Sequence, residues 1–288
     1  MPSIKKIIRF LWKEFIYGGH LQSIGAAGVT FITVNLLKIN YEWSIFLTSY
    51  LIFYTLYLYD RYKGLQTDKL TNPKRSEHFQ RYYRFRSILL ILVVIAAISS
   101  LAYFSNVKAL IFGSALIIFG LLYFSIFKKI TKKVTSFKNI YVASFFALLV
   151  FLPFFYYSLP ISRDLLLGMI ALFVLVFLKA FLTQIFLDLK DIRTDKEEGL
   201  LTIPVQIGTK KTIKVLKKST IVVLLILPVT FSLIFDILPL TVLVLVATIP
   251  FCFYCFNRAM EKNYIGYILA GSEFILWAVL IKLVQIIL

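Results

Sequence analysis

The sequence predicts an all-α fold, a multi-pass bundle of transmembrane helices, on three observations. First, 60% of the residues are hydrophobic and only 16% are charged, whereas soluble domains run to about half apolar and about a quarter charged. Second, apolar stretches recur along the whole chain, each close to the roughly 20 residues that a helix needs to cross a hydrocarbon core of about 30 Å. Third, the cations sit in short segments between these stretches, the pattern that membrane topology imposes. Lipid offers backbone N–H and C=O groups no partner, so helices, which satisfy them internally, are the expected element.

Nine spans are expected, at roughly 21–39, 43–60, 87–106, 108–127, 139–158, 165–187, 219–236, 238–257 and 265–287. Very short turns join several of them, which makes those neighbours antiparallel hairpins. No Pro/Gly/Ser-rich linker interrupts the series, so residues 1–288 read as one domain. Ahead of the first span, residues 1–20 mix Ile7, Ile8, Phe10, Leu11 and Trp12 with Lys5, Lys6, Arg9 and Lys13. That segment lacks the short apolar core and cleavage site of a signal peptide; it reads as an amphipathic helix lying on the membrane surface. Cys252 and Cys255 fall inside one apolar run, where thiols act as small packing groups.

The formal charge of +18 raises the question of nucleic acid. Its distribution argues instead for short loops facing anionic lipid, and no nucleic-acid partner is expected. The N-terminus and loops 61–86, 128–138, 188–218 and 258–264 carry 27 of the 32 Lys and Arg residues. The opposite side has Lys38, Lys108 and Arg163. The basic side is therefore expected in the cytoplasm, with the plasma membrane as the compartment. Lys179 and Lys282 remain within spans, either as functional groups or as snorkelling side chains.

Only 14 residues are acidic, and eight of them fall in or beside two loops, 61–86 and 188–210. Both loops follow spans that end on the basic side. The first contains Asp60, Asp68, Asn72, Pro73 and Arg75. The second reads Asp188-Leu-Lys-Asp191-Ile-Arg-Thr-Asp195, then Gly199, Thr202 and Pro204. The i, i+3, i+7 spacing of Asp188, Asp191 and Asp195 places them on one face of a helix. Carboxylates so placed repel one another unless a cation is shared. Mg²⁺, a hard ion held by one or two carboxylates plus substrate phosphates, suits that arrangement. The interleaved Lys190, Arg193 and Lys196 suit phosphate oxygens.

These residues resemble the UbiA superfamily of intramembrane prenyltransferases over nearly the whole chain. The specific part is the second motif, Asp188-x-x-Asp191-x-x-x-Asp195 with Gly199-x-x-Thr202-x-Pro204. Tyr123-Phe-Ser125, the basic segment from Lys128, and Lys138-Asn139 also fall at family positions. The first motif departs from the family's Asn-Asp-x-x-Asp-x-x-x-Asp. With Asp68, Pro73 and Arg75 as anchors, Asp60 takes the Asn position, Arg61 replaces the first Asp and Gly64 the second. The resemblance implies Mg²⁺ at Asp60, Asp68, Asp188 and Asp191, with Asp195 completing the catalytic acids. It implies diphosphate contacts from Asn72, Arg75, Tyr123, Lys128, Lys138, Asn139, Lys190 and Arg193.

The activity so implied is transfer of an isoprenyl chain from a polyprenyl diphosphate donor to a lipophilic acceptor within the membrane. The spacing Asp60-x-x-x-Gly64-x-x-x-Asp68 is similar to that of UbiA-related terpene cyclases, an alternative needing no acceptor. A non-catalytic transporter or scaffold of the same fold is the other alternative.

Overall fold

The computed structural model describes residues 4–65, 69, 73–80, 83–122, 127–261 and 263–287. Every regular element among them is helical. In chain order, α1 (Ile4–Tyr17), α2 (His20–Leu36), α3 (Ser44–Lys63) and α4 (Pro73–Gln80) lead to α5 (Arg86–Phe104) and α6 (Val107–Leu122). Then come α7 (Phe137–Tyr156), α8 (Arg163–Asp188), the short α9 (Ile192–Glu197), α10 (Thr209–Ile234) and α11 (Leu240–Met260). The last pair, α12 (Ile265–Gly271) and α13 (Glu273–Ile287), is bent by 52° at the intervening residue.

The chain is an all-α, multi-pass membrane bundle. Five helices, α5, α7, α8, α10 and α11, are long and apolar enough to cross a membrane, and the α12–α13 pair makes six. Outward faces are apolar: Ile88, Ile91, Leu92 and Ile95 of α5 and Ile111 and Ile118 of the shorter α6 are exposed, a surface that suits lipid rather than water.

Prolines account for the irregular turns. Pro153 in α7, Pro228 in α10 and Pro250 in α11 each lack the N–H that a helix interior needs. Next to them the backbone tightens to a 3₁₀ turn at Leu149–Phe151, loosens to π turns at Val222–Ile226 and Thr230–Ile234, and runs as 3₁₀ over Leu240–Thr248. Helix α8 has no proline and runs unbroken for 26 residues; the Ser162 side chain accepts from Leu165 N at its start, and Asp164 complements the helix dipole.

Packing between helices relies on small and hydroxylated residues, as lipid-embedded bundles require. A Cβ added at Gly28 of α2 would sit 2.9 Å from the Phe274 carbonyl oxygen of α13, so the two backbones touch. The Gln285 side chain adds a hydrogen bond to Asn35 O at 3.0 Å across the same seam. Thr30 and Ser49 share a hydrogen bond between α2 and α3 at 2.8 Å, and Thr48 and Ser100 one between α3 and α5 at 2.7 Å. The deepest side chains include Phe186, Leu172, Leu175 and Trp277.

Lys179 does not snorkel. It is 2% exposed and donates to Glu273 Oε2 and, at 2.9 Å, to Thr183 Oγ1. The Cys252 thiol lies 3.2 Å from Glu273 Oε1, which ties α8, α11 and α13 through one buried polar cluster. Lys282, by contrast, is exposed on α13.

Candidate active site

The end of α8 governs the site. Sequence spacing put Asp188, Asp191 and Asp195 on a single helical face; the structure corrects this. Helix α8 stops at Asp188, a turn follows over 189–191, and Asp195 lies in the separate helix α9. Asp191 N bonds back to Asp188 O at 3.0 Å and Asp195 N to Asp191 O at 2.8 Å. The acids are thus set around a corner. Gly199, at φ +70°, takes the left-handed conformation that ends α9. The chain then returns alongside the loop before α7, where Ser136 N donates to Leu201 O at 2.8 Å. That return brings the first turn of α7 to the end of α8. Lys138 Nζ lies 3.3 Å from Asp188 Oδ1, and Asn139 Nδ2 donates to Asp188 Oδ2 at 2.8 Å.

A cavity of about 320 Å³ opens here. Asp188, Asp191, Asp195, Lys138 and Lys190 line it, and so do Asp60, at the end of α3, and Arg75, on α4. The two acidic segments therefore share one chamber. Away from these charges the walls become aromatic and apolar, with Phe53, Tyr141, Phe145 and Phe146. The Phe53 and Phe146 rings meet at 4.5 Å between centroids, and Phe146 packs on Phe274 at 5.3 Å.

Burial shifts two of the polar groups. Asp195, 5% exposed, has its carboxyl raised to about 7, first by burial and then by Asp188 and Asp191, against the pull of Lys138. Lys190 is lowered to about 8 by burial, with Arg75, Arg61 and Lys138 adding to that effect and Asp191 opposing it. In such surroundings a bound counter-ion is worth more than at a solvated surface.

Among the described residues, no three His, Cys, Asp or Glu side chains converge on a point that holds a metal by themselves. The donor set still fits Mg²⁺ in its other mode, one or two carboxylates completed by substrate oxygens. Among the described residues, Asp191 Oδ1 and Asp195 Oδ2 are buried in the cavity wall without a hydrogen-bond partner, and both are hard oxygens. Asp188 differs, since each of its oxygens already accepts from a side chain.

Other expectations fare unevenly. Asn139 is fully buried behind Asp188 and holds that carboxylate. Arg193 does not reach the cavity; its side chain is 93% exposed and pairs with Glu197 at 3.0 Å within α9. Asp68, Asn72, Tyr123 and the Lys128 side chain lie outside the described residues. Reading the sequence passed over Arg61 as a ligand-facing group, along with Tyr57, Gln184, Tyr264 and Tyr267, all of which line the cavity. For Arg61 the available signal was its place in the first motif; the others carried none.

Residues 83–265 match the model of the UbiA prenyltransferase family. The chain belongs to that family. It is accordingly a UbiA-type prenyltransferase, an enzyme. No curated protein matches it in sequence. Solved structures with the same fold include a UbiA homolog from Aeropyrum pernix K1, at TM-score 0.66 and 14% identity, covering 92% of this chain and 97% of that one. A UbiA homolog from Archaeoglobus fulgidus bound to GPP and Mg²⁺ matches at TM-score 0.66 and 14% identity, covering 94% and 99%. A digeranylgeranylglyceryl phosphate synthase matches at 0.57 and 16%, covering 99% and 98%.

In this UbiA-family chain, α1 forms part of the cavity wall through Ile16 and Tyr17. Both histidines of the sequence hold it there. His78, buried on α4, lies 2.7 Å from Glu14 Oε2; His20 Nε2 lies 3.7 Å from Glu14 Oε1, and its Nδ1 2.5 Å from the Tyr50 hydroxyl. His20 and His78 hold the Glu14 carboxyl down to about 2 from its ordinary 4.5. Because the folded value is depressed, the stabilisation is complete above pH 4.5 and is lost as pH falls through about 2. Spin labels on α1 and α4 are expected to report one short distance at pH 6 and a broad distribution near pH 2. Glu14→Gln should broaden it already at pH 6; a narrow distribution for that variant would show that Glu14 does not hold α1.

Proposed function

We propose that the cavity is an active site at which an isoprenyl chain is moved from a polyprenyl diphosphate to a lipophilic acceptor, with Mg²⁺ as cofactor. One observation carries this reading: carboxylates and cations of both acidic segments meet at one end of a chamber whose other walls are aromatic and apolar. Such a chamber has a place for a diphosphate head and a place for its hydrocarbon tail. Mg²⁺, when bound, supplies charge neutralisation to the departing diphosphate. Asp191 and Asp195 are the residues that would hold it, with Asp60 in the same cavity; Asp68 is proposed as a further ligand from the first segment. Asp188 fixes Lys138, and Arg75, Lys138 and Lys190 bring positive charge toward the phosphate oxygens. The Phe and Tyr walls exclude water and offer π faces to an allylic cation.

The membrane arrangement follows from the same reading. Adding α2, α3 and α6 to the six apolar units gives nine crossings. Positive loops at the acidic end then place the cavity mouth and the N-terminus in the cytoplasm, in a plasma membrane, with α1 lying in the interface. The solved Archaeoglobus relative bound to GPP and Mg²⁺ supports a diphosphate donor and a divalent ion for this chain.

The test is incubation of the purified protein with labelled prenyl diphosphates of increasing length, with and without membrane lipids and Mg²⁺. Expected is a labelled lipid that forms only when donor, lipid and Mg²⁺ are all present. A labelled hydrocarbon formed from donor alone would favour the cyclase. No turnover of any donor by folded protein would reject catalysis at this cavity.

A further inference from the structure

Arg61 stands where the family pattern has an aspartate, and the structure places it in the cavity wall rather than outside it. Its guanidinium lies 4.4 Å from the centroid of the Tyr57 ring and 3.4 Å from Asp60 Oδ2. Stacking on an aromatic face and pairing with a carboxylate hold the planar fork in a set direction. The neighbouring Arg75 is 8% exposed and lines the same chamber. The first acidic segment thus presents guanidinium groups to the cavity, and Asp60, its described carboxylate in the cavity wall, is engaged by Arg61.

The second segment is arranged the other way. Asp188 has both oxygens occupied by Lys138 and Asn139. Among the described residues, Asp191 Oδ1 and Asp195 Oδ2 are buried with no hydrogen-bond partner. Carboxylate oxygen open to a hard cation is therefore concentrated at the α8–α9 corner, which lines the same cavity as Arg61. A diphosphate needs positive charge on both flanks. A divalent ion at the corner supplies one flank, and the fixed guanidinium supplies the other without any metal.

We propose that this enzyme binds its diphosphate ligand with one divalent cation, held by Asp191 and Asp195, while Arg61 takes the place of a second cation and grips the diphosphate from the α3 side. The inference rests on the diphosphate reading above. It changes what that reading demands: part of the donor affinity is built into the chain and survives metal removal. A guanidinium matches phosphate oxygens in a bidentate fork, and it cannot be chelated away.

The experiment uses the full chain in lipid nanodiscs, an unreactive prenyl thiolodiphosphate as donor analogue, and Mn²⁺ as a countable substitute for Mg²⁺. Calorimetry gives the analogue Kd in EDTA and in metal; electron paramagnetic resonance counts bound Mn²⁺ with the analogue present. The parent is expected to bind the analogue in EDTA within about tenfold of its affinity in metal, and to saturate at one Mn²⁺ per chain. Arg61→Gln should weaken binding in EDTA by about 10- to 100-fold, each tenfold step being one lost charge-assisted contact of ordinary size, with the Mn²⁺ count still one. Arg61→Lys should recover part of the loss. If Arg61 serves only to brace Asp60 and Tyr57, Arg61→Gln will lower Tm and leave the EDTA affinity unchanged, and the proposal is overturned. Two Mn²⁺ per parent chain would overturn it as well, while leaving the diphosphate site intact. Failure of folded parent to bind the analogue with or without metal would reject the diphosphate reading and this inference together.

Discussion

Asp191→Asn is expected to lower kcat by about 10³-fold, or about 4 kcal/mol of transition-state stabilisation, within the several kcal/mol that a bound metal supplies to developing charge. The substitution is nearly isosteric. The turn at 189–191 is held by backbone, with Asp191 N on Asp188 O and the Thr194 hydroxyl donating to Asp191 O, and an amide leaves both contacts in place. What disappears is one negative charge at a buried oxygen that has no hydrogen-bond partner among the described residues. Tm should therefore move by no more than a few degrees while turnover collapses. Asp60→Ala should be gentler, raising the Mg²⁺ needed for half-maximal rate, because Asp60 is already engaged by Arg61 at 3.4 Å. Steady-state rates with labelled donor over a Mg²⁺ series measure both. A near-parental rate for Asp191→Asn at saturating Mg²⁺ would mean that the α8–α9 corner is not where catalysis happens.

The largest effect on stability is expected at the buried Lys179–Glu273 pair. Glu273→Leu leaves the Lys179 ammonium inside the bundle with only the Thr183 hydroxyl as an acceptor, and removal of one partner from a buried ion pair costs about 3–5 kcal/mol. The double variant Lys179→Met with Glu273→Leu removes both charges and replaces them with apolar volume, a change that is often neutral or stabilising. Unfolding in mixed micelles should thus rank the double variant above Glu273→Leu and near the parent. If the single and double variants melt together, the two residues are not coupled. The site at the end of α8 is distant in sequence from the α13 partner, so activity of the double variant also shows whether this cluster does more than hold α8, α11 and α13 together.

The two residues illustrate what the sequence could not disclose. A lysine within an apolar run announces that it must be neutralised or must reach water, but its partner lies 94 residues away, and no local pattern connects them. The fold class was legible because it depends on span length and loop charge, both local quantities. Helix boundaries at the site were less so. Nothing in Leu189-Lys190-Asp191 is a helix breaker; the turn closes through Asp191 N on Asp188 O and the Thr194 hydroxyl on Asp191 O, and the return of the chain beyond it to Ser136 is made only in the assembled fold. The same turn removed the shared helical face on which the three acids were expected and put Asp191 and Asp195 in its place as the open pair. Arg61 was visible in the sequence as a lost carboxylate; its stacking on Tyr57 and its position in the cavity wall come only with the structure.

The contact between Gly28 and Phe274 has a consequence for how the molecule is made. It joins α2 to α13, and the Asn35–Gln285 hydrogen bond along that seam links residues 250 positions apart. The bundle is thus a closed ring, with the seam as its final joint. Translation proceeds at about 5–20 residues per second, so α2 enters the bilayer roughly 12–50 s before its neighbour exists. Over that interval its glycine and hydroxyl surface faces lipid or whatever insertion machinery shields it. A chain cut short before α13 would keep the acid-bearing corner and the cations around it, yet leave the ring open along α2, and would be expected to fail at assembly rather than at chemistry.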